Sequence, residues 1–213
     1  MKKKITILVL SVFASCSSDD DVQELPKTEV TLSFSHNWNG FVVTDADFNL
    51  IQYFNANTDE LSIEKLRYLI SKVTFHKSNG ETIETEGYNL VDVTNNENLS
   101  YVTSVQIPIG TYTNVSFTFG FDNTDNIDAA YTDLNSTSWN VPMMMGGGYH
   151  LMQLEGKFID NTATETGYQY HAIKAVNNTD PMNLVFQDTF FTVNRGEVIV
   201  HNSSSVDVNM NIA

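Results

Sequence analysis

Histidine, methionine and tryptophan are the residues of this chain whose types and spacing could do chemistry. His36 and Trp38 lie two apart in Val30-Thr31-Leu32-Ser33-Phe34-Ser35-His36-Asn37-Trp38. His150 follows three methionines and three glycines in Met143-Met144-Met145-Gly146-Gly147-Gly148-Tyr149-His150, and His171 closes Tyr168-Gln169-Tyr170-His171. Neutral imidazole binds copper or zinc through one ring nitrogen, and a thioether suits Cu(I) better than magnesium or calcium. Strand alternation puts His36 and Trp38 on one inward face, and His150, Met152, Leu154 and Phe158 on one face of a later strand. The same residues have a plainer use. A histidine on an apolar strand face is more often a hydrogen-bonded core residue, methionine fills gaps in cores, and the glycines make a tight turn. Nothing in the spacing shows that the three histidines meet, so both readings stand.

Other chemistries have less support. There is no Gly-Xaa-Ser-Xaa-Gly elbow, no phosphate-cradling loop and no His-Glu-Xaa-Xaa-His, and no carboxylate spacing marks a hydrolase. The expectation is a binding protein and not an enzyme. Residues 122–128, Asp-Asn-Thr-Asp-Asn-Ile-Asp, are rich in oxygen donors but carry Ile127 where a calcium loop needs glycine, and they lack the distal glutamate. They read as a polar loop. His76 shares the polar parity of Lys72 and Thr74 and reads as a surface residue.

The N-terminus is a leader. Met1-Lys2-Lys3-Lys4 is a basic start, residues 5–13 are apolar, and Ala14-Ser15 precede Cys16, the one cysteine of the chain. This is the pattern of a secretory signal peptide over residues 1–15, too short to remain as a membrane span. The small residues before Cys16 resemble a bacterial lipobox, which makes Cys16 the lipidated residue and explains the single cysteine. Ser17-Ser18-Asp19-Asp20-Asp21 resembles the export tag of surface lipoproteins in Bacteroidota and also reads as a solvated tether, residues 16–28. The expected location is therefore the outer membrane, lipid-anchored and exposed at the cell surface. Losing three lysines with the leader takes the formal charge from −15 to −18. With no basic patch to offset it, that charge argues against nucleic acid and anionic lipid as partners.

These candidate residues must be positioned by strands. The roughly 185 residues from 29 to 213 suit one domain with a sizeable core. Residues 30–38 alternate strictly. Residues 61–76 could be helix or strand; Leu66, Tyr68 and Ile70 alternate and then parity flips to Val73 and Phe75, as a bulge would produce, and the run ends in the turn Ser78-Asn79-Gly80-Glu81. Further strands are expected over 50–54, 88–93, 102–107, 115–121, 149–158, 168–176, 184–193, 197–201 and 206–212, the last pinning the C-terminus. Short β segments separated by Gly, Asn and Asp predict an all-β fold: an antiparallel β-sandwich of immunoglobulin-like size with short helical turns in its loops.

Several blocks together carry a family resemblance. Residues 30–36, Leu66-Arg67-Tyr68-Leu69-Ile70-Ser71-Lys72-Val73, Pro108-Ile109-Gly110-Thr111-Tyr112, Phe117-Thr118-Phe119-Gly120-Phe121-Asp122, Gly148-Tyr149 with Leu154-Glu155-Gly156, and Tyr170-His171 resemble, in order, the blocks of the MbnP-like family of methanobactin-associated β-sandwich proteins. The resemblance implies copper bound through two histidines and an oxidised tryptophan, for acquisition or sequestration, with a di-haem peroxidase of the MauG type as partner. His36 and His171 match the family histidines best. His150 and Met145 are carried as supporting donors, and Trp38 as the tryptophan beside a ligand. The chain departs from the family in that Trp139 lies earlier than the family's tryptophan stretch, whose place is filled by residues 143–147. The alternative is a surface module that binds a glycan or a partner protein through tyrosines such as Tyr101, Tyr112, Tyr131 and Tyr149, with the histidines only structural.

Overall fold

The computed structural model describes residues 25–177, 179–180 and 182–213. The expected leader, the lipidated Cys16 and the first part of the tether lie outside the described residues. Lys27 and Thr28, read as tether, already pair with Pro108 and Ile107.

Nine strands carry the architecture: β1 (Val30–Trp38), β2 (Phe41–Val43), β3 (Lys65–His76), β4 (Tyr88–Asp92), β5 (Gly110–Phe119), β6 (Met152–Ile159), β7 (Glu165–Ala172), β8 (Phe191–Val200) and β9 (Ser204–Asn211). Among the described residues, a nine-stranded sheet holds β8, β5, β3, β6 and β7 with β4 and shorter strands, and a four-stranded sheet holds β9, β1 and β2. Pairing is antiparallel except between the first and last of these strands, where β9 lies parallel to β1. The chain thus forms the expected all-β sandwich, and its C-terminus is held in a sheet.

Alternation in β1 builds one wall of the core. Val30, Leu32, Phe34, His36 and Trp38 are buried while the residues between them are not. The opposite wall comes from β3, which is strand and not helix. Leu66, Tyr68 and Ile70 face the core, then Val73 and Phe75 do. The parity flip occurs where Lys72 adopts φ +51°, a left-handed residue inside a strand, and the register with β5 shifts beside it. The Lys72 ammonium lies between the Asp122 and Asp125 carboxylates, which holds the bulge in place.

Before the flip, alternation with Leu66, Tyr68 and Ile70 puts Arg67 and Leu69 on the outer face of the large sheet. That face is not bare. Leu69 packs with Phe121, Leu134, Trp139 and Tyr149 in a second, smaller buried cluster. The excursion between β5 and β6 forms this cover, with a helix at Thr132–Ser136 and a 3₁₀ turn at Met143–Met145. The sheet therefore has two covered faces: the four-stranded sheet on the inner side and this excursion on the outer side.

One glycine fixes how β6 meets its neighbours. Gly156 pairs directly with Tyr168, whose ring crosses the glycine so that its hydroxyl donates to the Ser62 carbonyl at 2.9 Å. A Cβ on Gly156 would sit 2.0 Å from that same carbonyl oxygen, which is backbone and cannot step aside. Gly156→Ala is expected to destabilise the fold by about 3 kcal/mol, the upper part of the overpacking range, read as a lowered midpoint in urea unfolding with the slope unchanged.

Candidate metal centre

A row of three paired residues crosses the outer face of the large sheet. Arg67 on β3 pairs with Gln153 on β6, and Gln153 pairs with His171 on β7. Above this row the excursion brings a hairpin in which residues 139–141 run against 148–150. Val141 N–H donates to the Gly148 carbonyl and His150 N–H to the Trp139 carbonyl. The turn of this hairpin is the methionine–glycine stretch. Its three glycines all take positive φ, between +66° and +110°, so the chain can reverse there without strain.

The oxygen-rich loop at 122–128 anchors the hairpin. Asp128 accepts from Gly148 N–H at 3.1 Å and Asn126 accepts from Tyr149 N–H at 2.8 Å. A Cβ on Gly148 would meet the Asn126 amide at 2.4 Å. Asp122 turns back onto the backbone N–H groups of Thr124 and Asp125. These oxygens hold protein backbone, in line with the polar-loop reading.

The hairpin delivers His150 to His171. The two imidazole centroids are 5.1 Å apart with planes at 84°, and the His150 ring lies 5.6 Å from Trp139. Hydrogen bonds define which nitrogen of each ring is free. His150 Nδ1 stands 2.9 Å from the Trp139 carbonyl oxygen, which can only accept, so Nδ1 carries the proton and Nε2 the lone pair. His171 Nε2 stands 2.8 Å from Glu155 Oε1, which leaves Nδ1 as its free nitrogen. Burial pushes the His150 pKa down, partly opposed by the Trp139 carbonyl, which favours the neutral ring that a ligand must be. Partial burial raises the Glu155 pKa, but Lys65 and His171 outweigh it and leave a carboxylate.

Trp139 is fully buried, and its indole N–H has no hydrogen-bond partner among the described residues. The Arg67 guanidinium lies 5.2 Å from its ring centre, held by Gln153 at 2.6 Å. A buried N–H without a partner costs about 1–3 kcal/mol, and such groups gather where structure serves something other than stability.

The sequence-expected donors divide. His150 and His171 come together. His36 does not join them: it packs on Tyr68, its Nε2 bonded to the tyrosine hydroxyl at 2.9 Å. Tyr68 pairs with Met152 on the inner face of the sheet, whereas His171 pairs with Gln153 on the outer face, so the sheet itself separates His36 from His171. Trp38 is also inward. Its ring lies against Tyr53, and its indole N–H donates to the Phe54 carbonyl at 2.9 Å. Met145 sits half exposed on the 3₁₀ turn. His76 bonds Ser116 on the sheet. The expected strand face containing both His150 and Met152 is broken because Leu151 and Met152 both pack into the core, which sends His150 to the opposite side. Trp139, noted in the sequence but not placed among the expected donors, lies beside His150. The available signal was the glycine-rich turn, which implies a hairpin but not which residues pair across it. Of the tyrosines offered as a contact face, Tyr112 and Tyr149 are buried.

An antiparallel β-sandwich whose outer sheet face carries a cluster of two histidines and one tryptophan, His150 and Trp139 buried and His171 exposed, is thus the class that fold and site define. The family model for MbnP matches residues 27–213, and the chain belongs to that family. Among solved structures, MbnP from Methylosinus trichosporium aligns with a TM-score of 0.55 at 13% sequence identity, covering 80% of this chain and 72% of that one, a likeness of fold. No curated protein matches the chain.

The geometry separates His36 from the site in a measurable way. Burial lowers its pKa to about 4, so the folded state keeps it neutral while the unfolded chain takes up a proton below about 6.5. The unfolded state binds more protons between these values, so this contribution is complete above pH 6.5 and is lost as pH falls toward 4, by up to about 3 kcal/mol. Chemical denaturation across that window should show the decline in the wild type and a flatter profile in His36→Gln.

Proposed function

We propose that the protein binds copper through His150 and His171, with Trp139 beside them, for acquisition or sequestration. The observation that carries this reading is the pair of neighbouring imidazoles, each with one nitrogen bonded to an oxygen acceptor and the other without a hydrogen bond among the described residues. Among the described residues no group of three or more His, Cys, Asp or Glu is arranged to hold a metal. Two imidazole nitrogen donors fall short of the four that structural zinc takes and offer nothing to calcium, whereas imidazole is a good copper donor. The fit to copper is therefore to the donor chemistry of the pair.

The oxidised tryptophan that the family resemblance implies is assigned here to Trp139 and not to Trp38, because Trp139 touches His150 and its indole N–H has no partner among the described residues. His36 is read as a core residue that satisfies Tyr68, and Met145 as a thioether on the adjoining turn that the two-imidazole set does not require. Bound copper would be held and not turned over. A di-haem peroxidase of the MauG type is the partner proposed for modifying Trp139, and Cys16 the residue through which the protein is anchored at the outer membrane.

Copper titration against a competing chelator tests the assignment. His150→Ala and His171→Ala should each lower affinity by more than about 100-fold, beyond what loss of a supporting residue costs, while His36→Gln leaves it unchanged. Equal losses in all three, or loss only in His36→Gln, would return the site to the inner face.

A further inference from the structure

Glu155 lies diagonally across β6 and β7 from His171: Lys65 pairs with Glu155 and Glu155 with Gln169, while His171 pairs with Gln153. One carboxylate oxygen, Oε1, takes two contacts, from Lys65 Nζ at 2.8 Å and from His171 Nε2 at 2.8 Å. The backbone beneath it is fixed on both sides. The Glu155 carbonyl accepts from Glu64 N–H at 2.7 Å, and the next residue is Gly156, under the Tyr168 ring. The carboxylate is thus presented from a rigid strand and steadied by a lysine on the neighbouring strand.

We propose that Glu155 is the positioning residue of the metal pair, fixing the His171 ring with its Nε2–H on the carboxylate so that Nδ1 faces the metal. The proposal rests on the reading of His150 and His171 as copper ligands and goes beyond it, because it gives the two rings opposite coordinating nitrogens. His150 binds through Nε2, its Nδ1–H being held by the Trp139 carbonyl, and His171 binds through Nδ1. A carboxylate behind a ligating imidazole sets its tautomer and orientation and raises its basicity. An ordinary exposed ion pair does neither and contributes little.

The test combines two readouts. In metal-free protein labelled with ¹⁵N-histidine, long-range ¹H–¹⁵N spectra report the tautomer of each ring. Chelator competition with Cu(I) reports affinity. The wild type should show His171 as the Nε2–H tautomer and His150 as the Nδ1–H tautomer. Glu155→Ala should leave His171 as a mixture and weaken copper binding by about 10- to 100-fold, the usual cost of losing such a partner. Glu155→Gln retains an acceptor oxygen and should keep the tautomer while recovering part of the affinity, which also guards against a folding defect in the alanine variant. A wild-type His171 protonated on Nδ1, or a Glu155→Ala variant that keeps both tautomer and affinity, overturns the proposal. If the wild type takes up no copper, the metal reading itself fails, and the tautomers alone then decide whether Glu155 positions the ring.

Discussion

The carbonyl oxygen of Trp139 accepts from both the backbone N–H and the ring of His150, at 3.0 and 2.9 Å. Much of the outer face depends on that one oxygen. It ties the strand that carries Trp139 to the strand that carries His150, sets the tautomer of the imidazole, and holds the indole beside it. Behind it, Asn126 and Asp128 clamp the hairpin backbone, and Leu69 with Phe121, Leu134 and Tyr149 supplies the apolar floor that buries the indole. The small cluster is too small to fold alone, but it rests on a sheet already fixed from its other side by the main core, so a loop excursion can hold side chains rigidly.

Two faces of one sheet therefore do different work. The inner face packs against the four-stranded sheet and contains His36 and Trp38 as satisfied core groups. The outer face keeps an imidazole pair, a buried indole N–H without a partner among the described residues, and a guanidinium over the indole. Polar groups that are fully paired specify a core, and groups left unpaired mark a place where the fold has accepted a cost. The division also gives the acidic surface a modest part. A strongly negative chain raises the local concentration of any cation, but it does not choose among cations. On the proposed function, that choice would fall to the imidazole nitrogens of His150 and His171.

Much of the fold was legible in the sequence because strand alternation is a direct record of burial. It placed β1, the bulge in β3 at the parity flip before Val73, and the C-terminal strand that pins the chain. The site was legible only in part. His150 and His171 were recognised as candidates, but their partnership depends on Leu151 and Met152 both turning inward, and two consecutive apolar residues look the same in sequence whether alternation continues or breaks. His36 drew attention because it lies on a clean strand face beside Trp38; that same regularity is what carries it into the core. Trp139 was noted but not placed beside His150, because the turn of methionines and glycines signals a hairpin without fixing its register. The expected leader and Cys16 lie outside the described residues.

The most direct test of the central claim is an anomalous-difference map collected at the copper absorption edge from crystals of the copper-loaded protein. The account predicts a single strong peak on the outer face of the large sheet, bonded to Nε2 of His150 and Nδ1 of His171 and flanked by Trp139. A peak on the inner face at His36, or copper scattered over surface carboxylates with none between the two imidazoles, would contradict it.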